Sequence, residues 1–183
     1  QILGAVERAF KLIELRNENR VLCQALVDRA PQNAAAFSHI VTTSPLMRDL
    51  FRYVEAIANS SQPVLVSGET GTGKELFARA IHNASGRSGD FVAVNVAGLD
   101  DNVFADTLFG HLKGAFTGAG QDRPGLIERA AGGTLFLDEI GEISPRIQVE
   151  LLRVLEDKQV TRLGATHPVT ADIRLVAATN KDL

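Results

Sequence analysis

The chain has 183 residues, a formal net charge of −3, and a hydrophobic fraction of 45%. This balance is typical of a folded globular domain, and the single cysteine, Cys23, excludes a framework of disulfide bonds within the chain. The lack of a long basic run argues against this segment as the main nucleic-acid contact. No apolar run approaches the roughly 18 residues of a membrane span. We therefore expect a reducing, cytoplasmic compartment.

The first predicted element is a helix over residues 1–30, which contains no proline. Asn19 lies between apolar residues that recur at heptad spacing, a position at which Asn favours a two-stranded coiled coil. Two alternatives stay open: a dimerising coiled coil, and an amphipathic helix that packs against its own domain. The helix carries two apolar stripes, one of Leu3, Val6, Phe10 and Ile13 and one of Leu12, Leu15, Leu22 and Leu26.

Residues 28–43 are rich in Ala, Asn and Pro and are predicted to form a linker. The pairs Ser44-Pro45 and Ser144-Pro145 each predict a helix start, because Ser is a common N-cap and Pro is favoured at the first helical position. Apolar residues are expected to face inward from both helices: Leu46, Met47, Leu50, Phe51, Val54 and Ile57 in the first, and Ile147, Leu151, Leu152, Val154 and Leu155 in the second.

From residue 63 onward, short apolar strands alternate with helices. The strands are predicted at 64–66, 91–96, 134–137 and 173–178, with a helix from about residue 73 to 83. Short, fully apolar strands are typical of a parallel sheet that helices cover on both faces. The pattern therefore predicts an α/β fold with a parallel central sheet.

A glycine-rich segment follows the first of these strands and opens the next helix. Glycines allow a tight turn in which successive backbone N–H groups point at phosphate oxygens, and the helix N-terminus adds partial positive charge. Lys74 is placed to reach the β- and γ-phosphates. This context indicates a P-loop that binds ATP rather than an ordinary turn. Its residues are Gly68, Glu69, Thr70, Gly71, Thr72, Gly73 and Lys74.

The residue after a P-loop lysine is usually Ser or Thr, whose hydroxyl binds magnesium, but in this chain it is Glu75. A carboxylate at this position is able to meet the metal through water. It is equally able to turn away and pair with a neighbouring side chain. The sequence leaves both alternatives open.

Two acids, Asp138 and Glu139, directly follow the strand predicted at 134–137. In P-loop proteins the first acid after such a strand holds magnesium, and a neighbouring carboxylate is able to polarise the attacking water as a general base. The alternative is a solvated pair of helix-capping acids. The P-loop elsewhere in the chain favours the catalytic interpretation.

Asn95 lies at the end of the second predicted strand and Asn180 follows the fourth. Parallel sheets bind their ligands at the carboxyl ends of the strands. Both amides are therefore candidates for orienting water or Glu139. The alternative is that each amide only satisfies the backbone of a turn.

The segment Gly114-Ala115-Phe116-Thr117-Gly118-Ala119 is short, flanked by glycine, and carries one aromatic side chain. An exposed Phe at a loop tip is costly unless it contacts a partner. The segment is therefore a candidate contact loop, the alternative being that Phe116 packs into the core.

Together these segments resemble the bacterial enhancer-binding proteins, the NtrC-like AAA+ activators of sigma-54 RNA polymerase. The resemblance covers about residues 38–183. It rests on the P-loop with its Glu75, on residues 114–119, which read GAFTGA without change, and on residues 133–141, which read GTLFLDEIG. It implies that residues 31–183 are the N-terminal part of an AAA+ three-layer α/β sandwich.

The resemblance also implies roles for the matching residues. Lys74 is expected to bind phosphate, Asp138 to hold Mg²⁺, and Glu139 to activate water. Asn95 is expected to pair with Glu139 and relay the state of the γ-phosphate, while Asn180 matches the first sensor motif. Two further pairs match: Phe116 and Thr117 at the tip that contacts sigma-54, and Ile40 and Val41 at the adenine pocket.

The partners implied by the resemblance are ATP, sigma-54 RNA polymerase and further copies of the chain in a ring, usually a hexamer. Residues 1–30 resemble the last helix of a receiver domain that runs into a dimerising linker. Enhancer DNA is expected to bind a helix-turn-helix domain outside this chain. The arginine fingers, the last core strand and the helical lid are also expected outside it, so we expect the 183 residues alone to hydrolyse ATP poorly.

One departure from the family pattern lies just before the contact loop. The family often reads Glu-Leu-Phe-Gly-His-Glu where this chain reads Thr107-Leu108-Phe109-Gly110-His111-Leu112, so two acids are replaced. Two functions are carried forward: an ATPase subunit that remodels sigma-54 polymerase, and a nucleotide-sensing module that binds sigma-54 without turnover.

Overall fold

A computed structural model describes residues 33–181, and the helix predicted over residues 1–30 lies outside them. Its centre is a parallel sheet of four strands in the order β1-β8-β5-β2. These strands are Val64–Ser67 (β1), Phe91–Asn95 (β2), Thr134–Asp138 (β5) and Arg174–Thr179 (β8). Two antiparallel pairs accompany the sheet: Gly110–His111 (β3) with Arg123–Pro124 (β4), and Gln159–Val160 (β6) with Val169–Thr170 (β7).

Five α-helices surround the sheet within the described residues. They are Pro45–Ala58 (α1), Lys74–Ser85 (α2), Asp101–Phe109 (α3), Leu126–Arg129 (α4) and Pro145–Asp157 (α5). Short 3-10 helices lie at Ala34–Phe37 and Ile140–Glu142. None of the helices in this part of the chain has the length and apolarity that a bilayer span requires.

The helices form two layers because the buried strands are apolar on both sides. In β5, Leu135 and Leu137 pack against α3, α4 and α5. Phe136, which points the other way, packs against α1 and α2. The predicted α/β fold with a parallel central sheet is therefore confirmed.

The edge strand β1 is less buried than its sequence predicted. Val64 and Val66 are only partly covered, on the side of α1 and α2, and Leu65 is 52% exposed. Because β1 pairs only with β8 among the described strands, its outer side and one face lack cover. The prediction of a fully buried strand at 64–66 is wrong.

Both Ser-Pro pairs begin helices as predicted, at Pro45 and at Pro145. Neither serine caps its helix through the side chain, although both adopt the extended backbone of an N-cap. The hydroxyl of Ser144 is buried without a hydrogen-bond partner. The proline, with its fixed φ, is therefore the stronger start signal here.

The inward faces of both Ser-Pro helices are narrower than predicted. In α5, Ile147, Leu151 and Val154 recur at helical spacing and are buried. Leu152 lies off this line and is 53% exposed, so its predicted inward position is wrong. The same error applies to two exposed residues of α1, Leu46 and Leu50.

The predicted linker at 28–43 contains an ordered turn. Residues Ala34–Phe37 form a 3-10 helix capped by the side chain of Asn33. Phe37 is buried and stacks on Phe51 of α1, with ring centroids 4.5 Å apart. This segment therefore contributes to the core on the α1 and α2 side of the sheet.

Candidate functional site

The P-loop connects the carboxyl end of β1 to the first turn of α2. Gly71 and Gly73 have φ angles of 84° and 86°, which residues with a side chain rarely adopt. The hydroxyl of Thr72 donates to the carbonyl of Glu69 at 2.8 Å and closes the turn. Because α2 begins at Lys74, the loop curves around the positive end of the helix.

The ammonium of Lys74 lies inside this curve. The residue is only 8% exposed, and Nζ donates to the carbonyls of Gly68 at 3.0 Å and Glu69 at 3.2 Å. Both acceptors are neutral, so neither compensates the positive charge. An anion such as a phosphate complements a buried ammonium at a helix N-terminus.

Glu75 turns away from the P-loop. Its Oε1 accepts hydrogen bonds from Arg79 Nη2 at 2.8 Å and Nε at 3.2 Å, one helical turn along α2. The guanidinium of Arg79 also lies over the ring of Phe91, 4.6 Å from its centroid. Of the two alternatives for Glu75, the structure has the pairing with a neighbour.

Asn95 and Asp138 face each other across the carboxyl ends of β2 and β5. The amide of Asn95 donates to Asp138 Oδ2 at 3.4 Å, while its oxygen accepts from the N–H of Ala97 at 2.8 Å. The amide oxygen therefore satisfies a turn, as one of the two sequence alternatives expected, while the amide nitrogen contacts an acid. The structure pairs Asn95 with Asp138, whereas the family pattern led us to expect Glu139.

Glu139 follows β5 with an unusual backbone conformation. Its φ and ψ are 58° and 46°, the left-handed region, which costs a residue with a side chain about 1 kcal/mol. Its Oε2 accepts from the backbone N–H of Asn180 at 3.4 Å, and the amide of Asn180 donates to Thr70 Oγ1 at 3.4 Å. Asn180 therefore connects the acid at the end of β5 with the P-loop.

These residues converge because parallel strands end at one edge of the sheet. The backbone N–H groups of the P-loop and Lys74 fit a polyphosphate, and the carboxylate oxygens of Asp138 are ligands that Mg²⁺ prefers. A carboxylate such as Glu139, beside both, is able to accept a proton from water. The arrangement fits the hydrolysis of a nucleoside triphosphate.

The residues matched to the adenine pocket occupy different environments. Ile40 is half-buried against the core near α2, whereas Val41 is 97% exposed. A mainly apolar pocket of about 440 Å³ lies between α1 and β1 and reaches the P-loop, and neither Ile40 nor Val41 lines it. Sequence analysis missed this pocket. Its lining includes Met47, Leu50, Tyr53, Ile57, Leu65, Gly68, Lys74 and Phe77.

The candidate contact loop follows β3 and is closed by its own backbone. The N–H of Gly114 donates to the carbonyl of Ala119 at 2.8 Å, and the N–H of Ala119 donates to that of Phe116 at 3.0 Å. Phe116 is 45% exposed and meets the ring of His111 edge-on. It is therefore neither packed in the core nor fully free.

The base of this loop is held by acids that sequence analysis did not single out. Asp106 of α3 contacts His111 Nδ1 and also Arg123 Nη1, the latter at 3.4 Å. Asp122 accepts from the backbone N–H of Lys113 at 2.7 Å. The loop base thus has acidic bracing, although the two acids common in the family are replaced.

An ion pair that sequence analysis missed lies behind the loop. Arg162 donates to both carboxylate oxygens of Glu128, at 2.7 Å and 2.6 Å, and both side chains are partly buried. The hydrogen bond to Glu128 raises the pKa of Arg162. The pair fixes the segment that contains Leu163, whose carbonyl accepts from the N–H of Leu112 at the loop base.

The sequence is similar to a known protein family over most of its length. The model of the sigma-54 interaction domain matches residues 40–183. The chain belongs to the sigma-54 interaction domain family. It is 48% identical over 179 residues to the regulatory protein AtoC of Escherichia coli strain K12, covering 97% of this chain and 38% of AtoC.

Other members of the family are similarly close. The transcriptional regulatory protein GlrR of Escherichia coli strain K12 is 46% identical over 188 residues, which cover 100% of this chain and 42% of GlrR. A Nif-specific regulatory protein of Azorhizobium caulinodans is 54% identical over 145 residues, 79% of this chain and 24% of that protein. The chain thus spans well under half the length of these relatives.

A solved structure supports the same fold. The crystal structure of NtrX from Brucella abortus superposes with a TM-score of 0.70 and 32% identity, covering 98% of this chain and 37% of NtrX. NtrX has also been crystallised in complex with ADP and with ATP. The four-stranded parallel sheet of the chain therefore matches the AAA+ domain of NtrX.

Proposed function

We propose that this chain is the ATP-hydrolysing part of an activator that remodels sigma-54 RNA polymerase. The observation that carries the proposal is the convergence of Lys74, Asp138 and Glu139 at the carboxyl ends of one parallel sheet. The match to the sigma-54 interaction domain family supports the choice of partner.

The P-loop, residues 68–74, binds the triphosphate of ATP in this proposal. Lys74 exchanges its two carbonyl contacts for phosphate oxygens, which are better partners because they carry negative charge. Asp138 holds Mg²⁺, which supplies neutralisation of the charge on the phosphates. Glu75 takes no direct part, since Arg79 holds its carboxylate away from the loop.

Glu139 is the proposed general base. Its left-handed backbone and the N–H of Asn180 fix the carboxylate at the edge of the site, where it accepts a proton from the attacking water. Asn180 also contacts Thr70 and so holds the base and the P-loop at a fixed separation. We assign Asn95 the role of sensing the γ-phosphate through its contact with Asp138.

The contact loop is the proposed site for sigma-54. Phe116 and Thr117 lie at the exposed tip, flanked by Gly114 and Gly118. In this proposal ATP turnover in a cytoplasmic ring of subunits moves the tip and opens the promoter complex. The proposal also includes arginine fingers from a neighbouring subunit and dimerisation through residues 1–30. Enhancer DNA binds elsewhere in the protein, and Ile40 and Val41 lie at the adenine pocket.

A nucleotide-sensing module without turnover is the second candidate function. Lys74 donates to carbonyls of its own loop, so ATP binding without hydrolysis would already rearrange the loop. This observation favours the sensing module. ATP turnover by the unsubstituted full-length protein, compared with its Glu139→Gln variant, separates the two. For the ATPase we expect hydrolysis to fall by about 100-fold or more, while ATP affinity stays within about threefold.

Lys74→Ala is the control, because removing the phosphate ligand should abolish ATP binding as well as hydrolysis. An unchanged rate in Glu139→Gln would exclude Glu139 as the base. If the unsubstituted full-length protein binds ATP but shows no turnover in the ring, the sensing module is the correct function.

A further inference from the structure

Three side chains connect helix α3 to the tip of the contact loop. Asp106 Oδ1 contacts His111 Nδ1, and the ring of His111 meets the ring of Phe116 edge-on, with centroids 5.0 Å apart and an interplanar angle of 71°. An edge-to-face geometry at this separation is favourable for aromatic rings. We call these three residues, Asp106, His111 and Phe116, the loop latch.

The middle member of the latch is held rigidly. His111 is buried, and because a carboxylate only accepts hydrogen bonds, Nδ1 is the donor to Asp106. Arg123 holds the other oxygen of Asp106 at 3.4 Å. The backbone around His111 is bonded on both sides to one residue, since Leu163 donates to the carbonyl of Gly110 and accepts from the N–H of Leu112.

The outer member of the latch has few other restraints. The backbone hydrogen bonds of the loop join Gly114 to Ala119 and Ala119 to Phe116, and the tip projects beyond them. Phe116 also lines an open pocket of about 500 Å³, together with Val103 and other residues of α3. Space is thus available beside the ring, and the contact with His111 selects one of the positions the ring is able to take.

We propose that His111, oriented by Asp106, is a positioning residue that holds Phe116 against the domain and limits its access to sigma-54. The second half of this statement rests on the proposed function. A tip that is held back for part of the time binds a partner with an affinity reduced by that fraction. Breaking the latch therefore strengthens binding of sigma-54 in the absence of nucleotide.

The latch itself is tested without sigma-54. The 183-residue chain contains no tryptophan, so Phe116→Trp places a single indole fluorophore at the loop tip. Asp106→Ala is then added to remove the acceptor that orients His111. Asp101→Ala is the matched control, because it makes the same change on the same helix at an exposed position.

We expect acrylamide quenching of the tryptophan emission from Phe116→Trp to rise about twofold with Asp106→Ala, since a ring that is 45% exposed becomes fully exposed. Asp101→Ala should leave quenching unchanged. His111→Gln, which removes the contacting ring directly, should match Asp106→Ala and serves if Asp106→Ala lowers the helical circular dichroism signal. Equal quenching in all of these variants would overturn the latch.

Binding of purified sigma-54 to the full-length protein without nucleotide tests the consequence. The latch predicts an affinity several-fold higher in Asp106→Ala than in Asp101→Ala, whereas lower or equal affinity would overturn it. A different result would contradict the proposed function without contradicting the latch. If Phe116→Ala binds sigma-54 as tightly as the unsubstituted protein does, the contact role of the loop is wrong, and the quenching result still decides whether the latch exists.

Discussion

Asn95 Nδ2 lies 3.4 Å from Asp138 Oδ2, and the two residues occupy paired positions at the ends of neighbouring parallel strands. The oxygen of the same amide accepts from the N–H of Ala97, so rotating the amide would break two contacts. Asn95 is thereby able to respond to any change at Asp138, where we place Mg²⁺.

Substitution of Asn95 tests this contact. Asn95→Ala removes both hydrogen bonds, and we expect hydrolysis to slow about tenfold while ATP affinity changes by less than about threefold. Asn95→Asp is the matched variant, because it retains an acceptor for Ala97 but places a second negative charge beside Asp138. Normal turnover in Asn95→Asp would show that only the bond to Ala97 matters.

Glu75 is expected to tolerate substitution. Its partner Arg79 is about half exposed, as Glu75 is, and such pairs contribute at most about 1 kcal/mol. Glu75→Gln should therefore leave the magnesium-dependent binding of ATP within about threefold of the original, measured by titration calorimetry. A large loss of magnesium dependence would instead place the carboxylate at the metal.

Two glycines near the contact loop should respond differently to alanine. Gly114 has a φ of 81°, so Gly114→Ala is strained by about 1 kcal/mol although the space is open. Gly120 also has open space and does not have a positive φ. We expect Gly114→Ala to lower the free energy of unfolding and weaken sigma-54 binding, and Gly120→Ala to do neither. Identical behaviour would contradict the loop conformation.

Stability should fall in mildly acidic solution because of His82. Burial above all, and then the charges of Arg87 and Arg79, lower the pKa of His82 from its ordinary value of 6.5. The unfolded chain therefore binds a proton more readily, so this contribution to stability is present above pH 6.5 and is lost as pH falls through the lower folded pKa.

Urea unfolding at about pH 7.5 and about pH 5.5 measures this effect. His82→Gln keeps a polar group near Thr134, to which His82 Nδ1 is bonded at 2.9 Å, but does not titrate. We expect it to lose less stability between the two pH values than the unsubstituted chain loses. Asp172, whose pKa is lowered from 3.8 chiefly by its hydrogen bond to Lys158, acts outside this window. An equal loss in both chains would rule out His82 as the source.

The P-loop and the acids after β5 could be predicted because each signal is continuous in sequence. An apolar strand followed directly by glycines and Lys74, or by Asp138 and Glu139, fixes the position of those residues at the carboxyl edge of a parallel sheet. The strand ends then bring Asn95 and Asn180 to the same edge. The order of strands, glycines and polar residues along the sequence was therefore sufficient to predict where these residues lie.

Contacts between distant segments could not be predicted in this way. Arg162 and Glu128 lie 34 positions apart, and neither residue stands out from its neighbours in sequence. Arg174 begins an apolar strand, yet it is fully buried and donates to the carbonyls of Ile57 and Ala58 at the end of α1. The carbonyl end of a helix thus pairs two of the three guanidinium nitrogens in the core, while Nε stays unpaired, and only the tertiary structure shows this.

The bracing of the contact loop is a further contact that the sequence did not predict. Thr107 and Leu112 stand where the family often has acids, and the family pattern gives no role to Asp106. Asp106, one position earlier on α3, contacts His111 because the last turn of the helix and β3 are joined directly at Gly110. The sharp turn there has a φ of 78°.

The central claim is that the contact loop couples ATP hydrolysis to sigma-54 RNA polymerase. The most direct test measures promoter opening and ATP hydrolysis together, with the full-length protein. The critical variant is Phe116→Ala, compared with the unsubstituted protein at the same concentration. We predict hydrolysis within about threefold of the original rate and a loss of open complexes of at least about 100-fold, because turnover would no longer reach the polymerase. Open complexes at the original rate in Phe116→Ala would contradict the proposed function of the loop.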